Sequence, residues 1–193
     1  TIVGFVGADW IDGGVGTADT LVLTTQSSTL NAAANEQLVG LEIVSAASNT
    51  TGVAISLFNQ TEGFSITGGS GSDTITGGYG NDTISAGAGD DTIIDFAGAD
   101  SIDGGLGVNT LSLSATSTTL NSASNAQIAN IAAVSAANVT TAVTISLISQ
   151  SEAFSITGGS DNDWIAGGSG ADKINAGAGD DTIIGFVGAD SID

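Results

Sequence analysis

Aspartates stand nine residues apart at Asp73, Asp82, Asp91 and Asp100, and again at Asp163, Asp172, Asp181 and Asp190. Most close a glycine-rich turn, as in GGSGSD (Gly68–Asp73) and GGYGND (Gly77–Asp82), and every one is followed two residues later by an isoleucine. The chemistry available to such a set is that of oxygen donors. His and Cys are absent, which excludes Ser-His-Asp triads and zinc sites. A carboxylate pair is the one remaining catalytic device. Glu62 and Glu152 are equivalent across an internal repeat, whereas Glu36 and Glu42 become Ala126 and Ala132, so no acid–base pair is kept. The segment is therefore not expected to be an enzyme.

The charge balance points the same way. There are 21 acidic residues against one basic residue, Lys173, for a net charge of −20. Self-repulsion of that size opposes compaction, yet 41% of residues are hydrophobic, too many for a disordered acidic tail. Both facts are met if cations supply the missing positive charge. Nucleic acid is not expected as a partner, because nothing here neutralises phosphates. No apolar stretch reaches membrane-spanning length and no signal-peptide pattern is seen, so membrane insertion is not expected. The start at Thr1 reads as an excerpt of a longer chain.

These residues sit in a tandem repeat. SLFNQTEGFSITGG (Ser56–Gly69) returns ninety positions later as SLISQSEAFSITGG (Ser146–Gly159). The last twelve residues match the first twelve. Each copy joins a Gly/Asp-rich nine-residue pattern to an Ala/Ser/Thr/Asn-rich stretch. Apolar positions recur at Ile66, Ile75, Ile84, Ile93, Ile102 and Leu111, then at Ile156, Ile165, Ile174, Ile183 and Ile192, with Ile2 and Ile11 at the N-terminus. That period suits neither an amphipathic helix nor a long strand. It suits a short strand and a tight turn, two such units making one coil of eighteen residues, with Ile inward and the flanking Thr and Ser outward.

The chain is therefore expected to be all-β, a parallel β-roll or β-solenoid. Residues 1–23, 64–114 and 154–193 are assigned to nonapeptide coils. Residues 24–63 and 115–153 are assigned to wider coils of the same solenoid. GLEIVSA (Gly40–Ala46), GVAISL (Gly52–Leu57) and GFSIT (Gly63–Thr67) read as further strands. NAAANEQL (Asn31–Leu38) offers a short helix capped by Asn31 or Ser28, and a separate small helical domain is the alternative. Phe96 and Phe186 take the place of a turn glycine and are expected to plug the solenoid where wide coils join it. Trp10, Trp164 and Tyr79 are expected on outer or turn surfaces.

GGSGSDTIT (Gly68–Thr76), GGYGNDTIS (Gly77–Ser85) and GGSGADKIN (Gly167–Asn175) fit G-G-x-G-x-D-x-U-x, with U a large apolar residue, at every fixed position. The chain thereby resembles the calcium-binding RTX repeat proteins, including RTX-type bacterial surface-layer proteins and large adhesins. The resemblance implies several bound Ca²⁺ ions. Calcium takes six to eight oxygens, more than one turn offers, so each ion is expected between two same-side turns eighteen residues apart. That pairs Asp73 with Asp91, Asp82 with Asp100, Asp163 with Asp181 and Asp172 with Asp190. Asp91 with Asn109 forms a fifth, less charged pair, and Asp9 and Asp19 head turns whose partners are missing or displaced. The backbone carbonyls of Gly69, Gly71, Gly78, Gly80, Gly87, Gly89, Gly98, Gly159, Gly168, Gly170, Gly177, Gly179 and Gly188 are expected to complete the shells.

The resemblance further implies a secreted, extracellular or cell-surface location with export by type I secretion. The expected role is a calcium-dependent structural segment of a surface layer, fibre or adhesin stalk. The alternatives are the C-terminal repeat module of a secreted RTX enzyme or toxin, or a glycan-binding adhesin region. Further copies of the same repeat, associating head to tail into a filament, and a cell-surface glycan are the partners considered beside calcium.

Overall fold

The computed structural model describes residues 1–6, 9–185 and 187–193. The expectation for Phe186 lies outside the described residues. Among the described residues, twenty strands of two or three residues wind into about ten parallel turns. Successive strands alternate between two faces. One face carries a seven-stranded sheet that runs from Ile2–Val3 to Ile128–Ala129 and the other an eight-stranded sheet from Ala54–Ser56 to Ser191–Ile192. A three-stranded sheet (Thr144–Ser146, Trp164–Ala166, Thr182–Ile184) and a two-stranded one (Ile11–Asp12, Leu38–Val39) complete the wall.

The registers follow the nine-residue period. Ile66 pairs with Ile84 and Ile84 with Ile102, while Ile75 pairs with Ile93 and Ile93 with Leu111. Each is buried, and its strand neighbours Thr74, Thr83 and Ser101 are exposed. Burying one such side chain stabilises by about 1.5–3 kcal/mol, which offsets the entropy cost of ordering a coil with little other core.

The Ala/Ser/Thr/Asn-rich stretches wind in the same solenoid. Leu21 pairs with Val44 and Val44 with Ile66, which continues the ladder through the first of them. The short helix expected at Asn31–Leu38 is instead two 3₁₀ turns, Leu30–Ala32 and Asn35–Gln37. Neither expected cap is used: Leu30 N–H donates to Ser27 Oγ at 3.1 Å. Asn31 has another task. Its Nδ2 donates to the Ala54 carbonyl at 3.1 Å and its Oδ1 accepts the Ser56 amide at 2.8 Å, so one side-chain amide stands in for a missing strand neighbour. Asn121 does the same for Thr144 and Ser146. Phe5 and Phe96 are buried where these turns stack. The Phe96 carbonyl accepts both the Ser117 and the Thr119 hydroxyl, at 2.5 and 2.9 Å.

One ninety-residue unit, from Thr20–Val22 up to but not including Thr110–Ser112, contains nine strands. Nine is odd. Leu21 therefore lies in the seven-stranded sheet and its repeat equivalent Leu111 in the eight-stranded one. Successive units are related by half a revolution about the solenoid axis.

Candidate metal centre

Turns stack in two rows, one on each edge of the solenoid. In both rows the Asp closing a turn is held by the strand that begins immediately after it; Asp73, Asp82, Asp91, Asp100, Asp163 and Asp172 are buried, and Asp181 and Asp190 in the last coils are half-buried. Its Oδ1 accepts the amide of the corresponding residue one coil earlier. Asp91 Oδ1 accepts Asp73 N–H at 2.7 Å, Asp100 accepts Asp82 at 2.9 Å, Asp181 accepts Asp163 at 2.8 Å, and Asp190 accepts Asp172 at 2.9 Å. The four pairs expected from the eighteen-residue spacing are thus adjacent. Asn109 Oδ1 accepts Asp91 N–H at 3.0 Å, and its Nδ2 donates to the Asn130 carbonyl, so an uncharged amide ends that acidic row.

The second carboxylate oxygen is partnered in some turns and bare in others; Asp100, whose turn lacks the GG pair, accepts Ala97 N–H at 3.0 Å. In GG turns it accepts an amide within its own turn: Gly69 N–H to Asp73, Gly78 to Asp82, Gly159 to Asp163 and Gly168 to Asp172, at 2.5–2.9 Å. In the turn Ala86–Asp91, Gly87 and Gly89 lie at φ +109° and +125°, values that L side chains avoid. There Asp91 Oδ2 is buried without any hydrogen-bond partner, and Asp190 Oδ2 is in the same state. An unpaired carboxylate oxygen away from water is costly unless a cation meets it.

Burial pushes the Asp82, Asp91 and Asp100 carboxyls up, Asp100 from 3.8 to about 6, against the opposing pull of the amides that bond them. The neighbouring charge of Asp73 and Asp90 adds to the effect at Asp91, and that of Asp82 at Asp100.

The carbonyls have their own placement. A Cβ on Gly87 or Gly89 would run into the carbonyl of Gly69 or Gly71 in the turn above, and the same relation links Gly98 to Gly80, Gly177 to Gly159 and Gly188 to Gly170. Gly179 faces the Asp161 carbonyl. The space between stacked turns is therefore lined by main-chain oxygen. The carbonyls of Gly69, Gly87 and Gly159 also accept the amides of Ala88, Leu106 and Ala178, which leaves each one lone pair for a cation. Gly78 and Gly168 contribute their amides to Asp82 and Asp172. Among the described residues, no three acidic side chains converge on one point. A cation between turns would be held by two carboxylates and by carbonyls, a hard-oxygen set that fits Ca²⁺.

Asp9 and Asp19 lie outside these pairs. Asp9 Oδ2 accepts Val6 N–H, and its carbonyl is met by the Gln37 side chain rather than by another Asp turn. Asp19 N–H donates to Glu42 Oε2 at 2.8 Å. Glu42 thus takes the place of the next Asp, a role hidden by its distance of 23 residues in place of eighteen. A second, outer ladder also went unread. Asn81 accepts Ala99 N–H, Asp90 accepts Val108, and Asn162 accepts Asp180. Its signal is a polar side chain just before the turn Asp, as at Asn81, Asp90 and Asn162.

Stacked glycine turns, inward carboxylates and a parallel two-faced coil define a calcium-binding β-roll. The RTX calcium-binding nonapeptide repeat family model matches in four copies, over residues 1–27, 65–93, 76–111 and 156–193, together more than half of the chain. The chain belongs to this family. Its members bind several calcium ions per array and are typically secreted, with calcium bound outside the cell. No curated protein and no solved structure matches the chain significantly.

Proposed function

We propose that this segment is a calcium-dependent structural repeat of a bacterial surface protein, serving as part of a surface layer, fibre or adhesin stalk. Asp73 with Asp91, Asp82 with Asp100, Asp163 with Asp181 and Asp172 with Asp190 hold the ions, with the glycine carbonyls between them. Bound calcium supplies the positive charge that a chain of net charge −20 lacks. The carboxylates orient the turns through the amides they accept, and the carbonyls exclude side chains from the space between coils. The observation that carries this reading is the pair of buried, unpartnered carboxylate oxygens, Asp91 Oδ2 and Asp190 Oδ2.

Without metal, the rows of buried carboxylates repel one another and the chain stays expanded. With metal, binding free energy becomes folding free energy. Extracellular sites of this kind bind with affinities of roughly 10⁻⁴–10⁻³ M, so calcium-poor cytoplasm would leave the chain unfolded for export. Circular dichroism in calcium and in excess chelator at low salt tests the reading. A cooperative gain of β signal with calcium is expected, and a β-rich spectrum that survives the chelator overturns it. Catalysis is not part of the proposal. Head-to-tail stacking of open coils into filaments is, and electron microscopy should show end-to-end chains in calcium that vanish in chelator.

A further inference from the structure

A cavity of about 390 Å³ opens on the outside of the solenoid between the turn Gly77–Asp82, the turn Asp95–Asp100 and the segment Ser114–Thr119. Its lip carries Phe58 and Tyr79, ring centroids 5.6 Å apart and planes tilted by 52°. Both rings are largely exposed, at 53% and 60%, whereas Phe5, Phe64, Phe96 and Phe154 are all buried. The core does not need this pair. The opposite wall presents the exposed hydroxyl residues Ser114, Thr116 and Thr118. The Thr116 hydroxyl oxygen accepts Thr144 N–H at 2.9 Å, which leaves its proton to donate.

The internal repeat supplies a control. The equivalents of Phe58, Tyr79 and Ala97 ninety residues on are Ile148, Ser169 and Val187, and that of Asp95 is Gly185. The aromatic pair, Ala97 and the Asp95 carboxylate thus come together at one groove and are all replaced at the equivalent positions of the second copy. Asp95 also stands at φ +61°, where its counterpart is a glycine at φ +83°. A non-glycine residue held there, at some cost, marks a site worth reading for function. Its carboxylate accepts the Ser114 amide at 2.7 Å and the Ser114 hydroxyl at 2.8 Å, which fixes that wall of the cavity.

We propose that this groove binds a neutral saccharide. The Phe58–Tyr79 pair offers apolar faces for the C–H side of a sugar ring, and the facing hydroxyls offer donors and acceptors for its hydroxyl groups. A net charge of −20 disfavours anionic ligands. Two carboxylates line the cavity and each oxygen of both accepts a protein donor, Asp95 from Ser114 and Asp100 from the Asp82 and Ala97 amides, and Asp100 belongs to the calcium pair with Asp82, so neither waits at the rim for an organic cation.

The test uses the full chain folded in calcium, titrated calorimetrically with neutral oligosaccharides of glucose, mannose and N-acetylglucosamine, and with choline as the cationic probe. The variants Tyr79→Ser and Phe58→Ile place the other copy's residues at the groove, where the same turns accommodate them. Binding of at least one neutral oligosaccharide is expected, weakened about tenfold or more by each substitution, with the circular dichroism spectrum and calcium count unchanged. No binding of any neutral oligosaccharide, binding indifferent to both substitutions, or preference for choline would each overturn the proposal. Loss of the calcium-dependent spectrum in the unaltered chain would instead strike the structural reading above.

Discussion

The nonapeptide turns and the wide-coil turns occupy the same rows of one solenoid, yet they fill their interiors with different chemistry. In the GG nonapeptide turns a buried carboxylate accepts an amide of its own turn and one from the coil before, as Asp82 does with Gly78 and Phe64. In the wide coils neutral amides do comparable work. Gln60 and Gln150 donate to the Ala33 and Ala123 carbonyls, and Asn49 donates to the Leu23 carbonyl, at 2.9–3.1 Å. Asn31 and Asn121 close strand ladders without any charge. A turn in this solenoid does not need an ionised group to satisfy its backbone. The carboxylates add a buried charge that calls for a cation, which the amides do not.

The comparison breaks most completely if the first chemistry is converted into the second. Replacing Asp82, Asp91 and Asp100 together by Asn keeps an acceptor at each position and removes three buried charges. The calcium requirement for β structure should fall sharply, and the ion count with it. A triple variant that folds only at the calcium concentration of the parent would show that the turn charges do not set the dependence.

A smaller effect separates the two rows. Asp82→Ala with Asp100→Ala should weaken one shared site, whereas Asp82→Ala with Asp91→Ala should damage sites on opposite edges. Calorimetric ion counts that group these pairs the other way would contradict the stacking of turns.

Smaller again is the effect of acid. A carboxyl raised by folding binds its proton more tightly in the folded state. Its contribution to ion-free stability is therefore full below the unfolded value and is lost as pH rises through the folded one. With Asp82 and Asp91 raised and Asp100 moved from 3.8 to about 6, the loss at Asp100 falls between these values. In chelator, acidification from about pH 7 to about pH 5 should recover part of the β signal, because protons do what calcium otherwise does. A signal that falls on acidification would have the wrong sign.

The smallest change belongs to the wide coils. Asn31→Ala leaves the Ala54 carbonyl and the Ser56 amide without their partner and should cost about 1–3 kcal/mol. Thermal melts in saturating calcium should show it, and the ion count should not move.

The two regions also differ in how far they could be read from sequence. A nine-residue period places Ile75 over Ile93 and Asp73 beside Asp91 with no knowledge beyond the spacing, because every coil is the same length. The wide coils offer no such ruler. Asn31 finds its partners at Ala54 and Ser56, 23 and 25 residues away, and no local pattern announces a side chain acting as a strand. The eight residues from Asn31 to Leu38 carry helix-forming composition, yet the ladder claims Asn31 and the core claims Ala33 and Leu38, so only 3₁₀ turns remain. Glu42 was hidden for the same reason, since it reaches Asp19 from a coil of different length.

The odd number of strands in each ninety-residue unit gives the repeat a parity. Gaining or losing one unit would turn every later groove and turn row to the other side of the rod, while gaining or losing two would restore them. A protein lengthened by recombination of such units would thus alternate between two presentations of the same surface. A single duplication would relocate a binding face without altering one residue of it.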